Sequence, residues 1–271
     1  MMTYIYDGTF PGLLTAIYKW LQGGQTGDNI TTLSGFEPDL FTQPEIIPTD
    51  LSLAGKLLEI IAGKLTKPAF YDLYFCFLSE ESGIETVIAD FIQKSLKYGC
   101  GFERNFADGT ARNIRKTSDR VSYEIHRFHG FVRFRKMSDG IYYAPIEPDH
   151  NILELLAPHF SARFADQSWF IHDLRRHKGL YYDGTRTGAE AQCRLVTGVE
   201  AKPEAILSTG QMRNLELGFG SGIFETDEPH YQELWNEYFK GIAIHERENK
   251  KLQRQHMPER YWKHMIERVE S

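Results

Sequence analysis

The chain has 271 residues, of which 41% are hydrophobic and 25% charged, and its formal net charge is −6. These values are typical of a globular protein, and no apolar run approaches the roughly 20 residues that span a bilayer. The first residues lack the pattern of a secretory signal. The three cysteines are widely spaced and form no CxxC pair, so neither a disulfide framework nor a thiolate metal site is indicated. We therefore expect a cytoplasmic protein with no membrane partner, and we predict no cofactor and no metal.

Charge is distributed unevenly along the chain. Residues 1–110 carry 7 Lys and Arg against 14 Asp and Glu, whereas residues 111–271 carry 24 against 23. All ten histidines lie in the second part. Because histidine is the commonest acid–base and metal-binding side chain, any chemistry is expected there. The overall acidity argues against coating nucleic acid through bulk charge, but it leaves room for a local basic groove.

Residues 1–110 are predicted to form an acidic, mainly helical portion. A short strand and an amphipathic helix open it. Residues 23–50 are rich in Gly, Pro, Thr and Asp and are expected to form a loop. Two or three helices follow through 51–63 and 68–98, with an interruption near Ser82-Gly83.

Residues 111–185 are predicted to form a central α+β unit, in which a long helix precedes a β-β-α-β-β arrangement. The segments "GFVRFRKM", "IYYAPIE", "SWFIHDL" and "LYYDG" are the predicted strands, with a hairpin at Asp139-Gly140. The helix through 152–164 is expected to be kinked or split by Pro158. This order of elements is typical of a largely antiparallel sheet.

The last part of the chain is divided by composition. Residues 186–225 are predicted to be a loop-rich connection, and residues 226–271 a C-terminal basic helical segment. We therefore predict an α+β fold class, with a helical N-terminal portion, a central sheet unit and C-terminal helices in one compact domain.

The stretch "YYAPIEPDHN" concentrates acid–base side chains at a junction between a strand and a helix. Glu147, Asp149 and His150 lie within four positions and are candidates for an acid–base or metal-binding group. A structural role is the alternative, because Asn151 with Glu154 fits a capping box and Asp149 could itself be the N-cap.

Asp173 in "WFIHDL" is the fourth catalytic candidate. If Trp169 and Ile171 face the core, Asp173 is buried on the same face of the strand. A buried carboxylate needs a partner, so an ion pair with Arg175 or Arg176 is the structural alternative.

Basic side chains recur in three places where they could contact nucleic acid: the helix that follows residue 110, the sheet, and the C-terminal segment. Between residues 240 and 268 there are eight Lys and Arg against four Asp and Glu, and an adjacent Tyr-Trp pair is interleaved with them. Basic groups neutralise phosphates and aromatic rings stack on unpaired bases, although the Tyr-Trp pair could equally pack against the core. The nucleic-acid candidates are Arg112, Lys116, Arg120, Arg127, Arg133, Arg135, Arg175, Arg176, Lys250, Lys251, Arg254, Arg260, Tyr261 and Trp262, with Glu124 and His126 beside them.

Five segments together resemble a known family: "YIYDGTFPGLL", "EIHRFHGFVRF", "YYAPIEPDHNILELLAPHF", "WFIHDLRRHKGLYYDG" and "LQRQHMPERYWKHM". The family is assigned to DNA metabolism and contains a domain of unknown function. Its members are encoded beside a radical-SAM protein assigned to DNA modification or repair, or are fused to a uracil-DNA-glycosylase-like domain. This chain has no CxxxCxxC motif for a radical-SAM cluster and no recognisable glycosylase site, so the resemblance implies a companion subunit.

The resemblance and the basic segments lead to one expectation and two alternatives. The expectation is an accessory protein of DNA repair or modification that binds DNA, single-stranded or damaged, and works with a radical-SAM partner protein. The first alternative is a nucleic-acid-processing enzyme that uses Glu147, Asp149 and His150. The second is a protein-interaction module without nucleic-acid contact. Whether the protein is an enzyme stays open at this point.

Overall fold

The computed structural model describes residues 2–23, 28–38, 42–185, 193–198, 228–242 and 250–265. The chain forms two compact units, Met1–Ser122 and Tyr123–Ser271. The division falls inside helix α5 (Gly109–Phe131), later in the chain than the change in charge at residue 111. Most of the predicted loop-rich connection lies outside the described residues.

The first unit contains a three-stranded parallel sheet. Strand β1 (Met2–Tyr6) lies between β2 (Asn29–Thr32) and β3 (Gln43–Ile46) and pairs with both in parallel. The prediction of a loop throughout residues 23–50 was therefore wrong at these two strands. Both are edge strands of four residues; the first contains three β-branched residues in a row, and an edge position tolerates the proline of the second.

Four helices complete the first unit together with the start of α5: α1 (Phe10–Gly23), α2 (Leu51–Ala62), α3 (Lys67–Leu78) and α4 (Ile84–Tyr98). The predicted interruption near Ser82-Gly83 is confirmed, because Gly83 precedes α4 with a φ of 77°, a conformation that favours glycine. Apolar faces of α1 to α4 pack into one core, in which Leu13, Ile17 and Leu57 are fully buried.

The second unit is built on a five-stranded sheet of order β4-β5-β6-β7-β8. Strands β5 and β6 pair in parallel, and the other three pairings are antiparallel. The α+β fold class and the largely antiparallel central sheet are thus confirmed, as is the pairing of the third predicted strand with the fourth. The strands are β4 (Arg135–Lys136), β5 (Tyr142–Ile146), β6 (Trp169–Asp173), β7 (Lys178–Tyr182) and β8 (Arg194–Thr197).

Two boundaries in the second unit differ from the prediction. The strand expected from "GFVRFRKM" pairs only at Arg135 and Lys136, because α5 continues to Phe131, whose ring packs on those of Phe128 and Tyr261 at centroid distances of 6.0 and 5.8 Å. Strand β8 lies inside the segment predicted to be loop-rich and pairs with β7 along four residues.

The remaining helices of the second unit lie between and after the strands of this sheet along the chain. A 3-10 helix (Leu153–Leu156) leads into α6 (Ala157–Arg163), and Pro158 stands in the first turn of α6, so the predicted split is confirmed. Helices α7 (Glu228–Ile242) and α8 (Lys250–His256) precede a final 3-10 helix, Glu259–His264. Within the described ranges, no helix combines the length and the apolar character needed to cross a membrane.

Candidate functional site

Tyr261 joins the final 3-10 helix to the segment that carries the acid–base trio. Its hydroxyl lies 2.6 Å from Oε1 of Glu124 and 2.8 Å from Oδ2 of Asp149. Arg260 donates to the same Asp149 oxygen at 2.5 Å. Burial raises the pKa of Tyr261, and the two carboxylates raise it further, so the phenol keeps its proton and acts as a hydrogen-bond donor.

Glu124 is the buried anion of this cluster, with only 3% of its surface exposed. Its carboxylate accepts the backbone N–H groups of Asp149 at 2.7 Å and His150 at 2.9 Å, in addition to the Tyr261 hydroxyl. The Nδ1 atom of His150 also lies 2.9 Å from Oε2. Burial by itself would raise the pKa of Glu124, but His150 and Tyr261 outweigh burial and the pKa is lowered. Glu124 is therefore ionised and fixes the backbone at Asp149 and His150.

Glu147 is held by the same final helix. His264 contacts its Oε1 at 3.0 Å, and Lys263 forms an ion pair with its Oε2. Burial would raise the pKa of Glu147, but the hydrogen bonds from Lys263 and His264 lower it. We call Glu124, Glu147, Asp149 and His150, with their partners Arg260, Tyr261, Lys263 and His264, the C-terminal clamp.

Asp173 forms the predicted ion pair, and its partner is Arg176. The two side chains are 0% and 8% exposed, and Nη1 of Arg176 lies 3.1 Å from Oδ2. The guanidinium also donates to the carbonyl oxygens of Pro148 and Asp149. Burial raises the pKa of Asp173 more strongly than Arg176 lowers it. This ion pair therefore supports the loop that precedes His150.

The cavity beside Glu147 offers little space for a substrate. The cavity between Glu147, Arg260, Tyr261 and His264 measures about 10 Å³, which is at the lower limit for a single water molecule. Among the described residues, no group of three or more His, Cys, Asp and Glu side chains is arranged to hold a metal ion. The geometry thus suits a structural tie between the chain end and the sheet.

Helix capping does not account for the trio. The 3-10 helix begins after Ile152, and none of the described side chains caps it. The interpretation of Asp149 as N-cap was wrong, because its carboxylate accepts from Tyr261 and Arg260 instead.

The remaining predicted residues lie in several places. Arg112, Lys116 and Arg120 belong to the first unit, and Arg120 forms an ion pair with Glu81 at 2.7 Å. In the second unit, the guanidinium of Arg127 stacks on the Tyr123 ring at 4.2 Å and donates to the carbonyl of Gln255. His126, Arg175, Lys251 and Arg254 are exposed, Lys250 begins α8, and Trp262 is half-buried and donates to the carbonyl of Met257.

A separate cleft of about 700 Å³ opens in the second unit. Its size lies within the roughly 300–1,000 Å³ of small-molecule sites. We call it the aromatic cleft, because its walls combine six aromatic rings with three cationic side chains. The aromatic residues are Phe134, Tyr142, Phe160, Phe164, Tyr231 and Trp235, and the cationic ones are Arg133, Lys136 and Arg163.

Glu228 fixes helix α7 at the edge of the aromatic cleft. One of its carboxylate oxygens accepts the backbone N–H of Lys136 at 2.8 Å, and the other accepts the side-chain amide of Gln232 at 3.0 Å. On the same helix, Trp235 lies under the guanidinium of Arg133 at 5.5 Å. The ends of β4 and α7 are thereby held together, which brings cations and aromatic rings to one opening.

One histidine, His129, lines the aromatic cleft, and His159 stacks against it. The rings of His129 and His159 stack at 4.0 Å with an interplanar angle of 11°. Burial, followed by the neighbouring His159 and His126, lowers the pKa of His129. The neutral form of His129 is therefore favoured.

Sequence reasoning identified Arg133 but missed most of the aromatic cleft. Lys136, Arg163, Tyr231 and Trp235 were not among the candidates. The available signal was the alternation along "GFVRFRKM" and the apolar stripe of α7, whose large side chains include Tyr231 with 58% exposure. A stripe that stays exposed is unusual for a core helix, but exposure is not visible in a sequence.

The second unit is thus an α+β domain in which the C-terminal clamp holds the final 3-10 helix and an aromatic cleft is lined with cations. Residues 82–267 match the model of a family described as "Domain of unknown function (DUF4130)". The chain belongs to this family, in agreement with the resemblance noted from its sequence. No curated protein matches the chain.

Proposed function

We propose that the protein is an accessory factor of DNA repair or modification that binds single-stranded nucleic acid with its second unit. The observation that carries this proposal is the aromatic cleft, which Arg133, Lys136 and Arg163 line together with the exposed rings of Tyr231 and Trp235. Proteins that hold single strands combine a cationic groove with aromatic stacking surfaces. The net charge of −6 confines such binding to a local site.

The clamp contacts favour binding over catalysis by the trio. Glu147 and Asp149 are engaged by cations of the final helix, and the backbone of His150 is held by Glu124. An acid or base needs a substrate within hydrogen-bond reach, and the cavity beside Glu147, about 10 Å³, is too small for one. The enzyme alternative predicts loss of a nucleic-acid-processing activity in His150→Ala with the fold retained.

The partnership with a radical-SAM protein rests on the family resemblance. A companion that holds unpaired DNA would present it to an enzyme whose own chain carries the cluster. In this role the protein binds the DNA strand without carrying out a reaction itself.

Fluorescence anisotropy with a labelled oligo-dT of about 12 nucleotides, a length within the site sizes of single-strand binders, tests the proposal. Three cations on phosphates predict a slope of log K against log salt concentration of about −2, at roughly −0.7 for each phosphate. The measurement is made with the wild-type protein, alone and with the radical-SAM partner. Absence of salt-sensitive binding in both arms would overturn the proposal and favour the protein-interaction alternative.

A further inference from the structure

We infer that the aromatic cleft holds one unstacked nucleobase, with the cations of its rim on the flanking phosphates. This inference rests on the proposed function and names the part of the strand that the cleft recognises. A volume of about 700 Å³ suits one nucleotide with solvent, in the range of small-ligand sites.

The surface for the base comes from helix α7. Tyr231 and Trp235 are four residues apart and therefore lie on one face of the helix, and both line the cleft. They expose 58% and 39% of their surfaces. Exposed neighbouring aromatic rings in a concave site are typical of a ligand-binding surface.

A second group of aromatic rings lines the same cleft. The ring of Phe134 meets those of Phe160 and Phe164 edge-on at centroid distances of 5.5 and 5.3 Å. These rings fix one another in a single arrangement. Because these rings and those of α7 line the same cleft, we propose that a planar ligand contacts both sets.

Charge explains why the ligand must carry both a base and a phosphate. Arg133, Lys136 and Arg163 supply positive charge, but Glu228 places a carboxylate at the same opening. Its two oxygens accept the backbone N–H of Lys136 and the side-chain amide of Gln232, so the carboxylate is held in place at the opening. The Glu228 carboxylate weakens the binding of a phosphate that carries no base. Stacking of the base on the aromatic rings adds to the affinity of a nucleotide.

The inference is tested with two strands of equal length, oligo-dT and an oligomer of abasic sugar-phosphate units. Anisotropy is measured for the wild type and for Tyr231→Ala, Trp235→Ala, Trp235→Phe and Leu234→Ala. Leu234 is exposed on the same helix and is not part of the cleft lining, so Leu234→Ala is the matched control.

We expect the abasic strand and the two aromatic-to-alanine variants to lose about 5- to 150-fold in affinity, the range for the loss of one stacked base. Trp235→Phe keeps a ring and is expected to retain most of the binding. Leu234→Ala is expected to bind as the wild type does, and circular dichroism checks that each variant is folded.

If oligo-dT binds but the abasic strand binds equally well, or the alanine variants bind normally, the inference is overturned while nucleic-acid binding stands. If the wild type binds neither strand, the proposed function fails and the inference falls with it.

Discussion

At the scale of single residues, the second unit buries three of its described carboxylates, Glu124, Asp173 and Glu228, and the first two are satisfied in different ways. Glu124 accepts two backbone N–H groups and a phenol, and its pKa is lowered. Asp173 has a guanidinium partner, yet burial keeps its pKa raised. A buried charge that lost its partner would be strongly destabilising.

Replacement of Arg176 by alanine tests this account of Asp173. The variant leaves a fully buried carboxylate without its cation and removes two hydrogen bonds to the loop before His150, so we expect a loss of about 3–5 kcal/mol in the free energy of unfolding. Arg175→Ala is the control, since it removes an exposed hydrogen bond to the same Asp149 carbonyl but leaves the ion pair in place, and it should cost less than about 1 kcal/mol. Chemical denaturation measures both.

Part of the loss in Arg176→Ala should be recovered at low pH, because protonation of Asp173 removes the unpaired charge. Equal stabilities of the two variants at neutral pH would show that the ion pair does not support the loop.

At the scale of elements, the final 3-10 helix is attached mainly through ionisable groups. The lowered pKa values of Glu124, Glu147 and Asp149 mean that their contribution to stability is complete above the ordinary carboxyl pKa of about 4. It is lost as the pH falls through the lowered values. Burial lowers the pKa of His264, although the neighbouring Glu147 acts to raise it. Below about pH 6.5 the unfolded chain therefore binds a proton at this histidine more readily than the folded chain does, which also destabilises the fold.

We therefore expect stability to decline on acidification, and Glu124→Gln to make that decline less steep below about pH 5 while lowering stability at pH 7 by about 1–3 kcal/mol. Thermal unfolding followed across this pH range measures the effect. Glu154→Gln, at an exposed position, serves as the control and should follow the wild type. A Glu124→Gln profile parallel to that of the wild type would contradict the account.

Sequence periodicity predicted the elements whose apolar pattern repeats over many residues. It missed the short strands that depend on pairing with another strand. The helices through 51–98 and the strands "IYYAPIE" and "SWFIHDL" follow from their apolar patterns. Strands β2, β3 and β8 have four residues each and gain stability from a neighbouring strand that is distant in sequence. The same limit applies to the site, because the trio is local in sequence while the partners Arg260 to His264 are more than a hundred residues away.

At the scale of the whole molecule, the chain forms two compact units, and the acidic residues 1–110 all belong to the first of them. The cation-lined cleft belongs to the second unit, together with the clamp and all ten histidines. We propose that the aromatic cleft, rather than the acid–base trio, is the surface that meets nucleic acid.

Hydrogen–deuterium exchange of the wild-type protein with and without oligo-dT tests this claim most directly. We predict that the strand protects the peptides that cover residues 129–136 and 228–242, which line the cleft, and leaves exchange at residues 147–150 unchanged. Protection at residues 147–150 with no change in the two cleft segments would contradict the account and return the site to the trio.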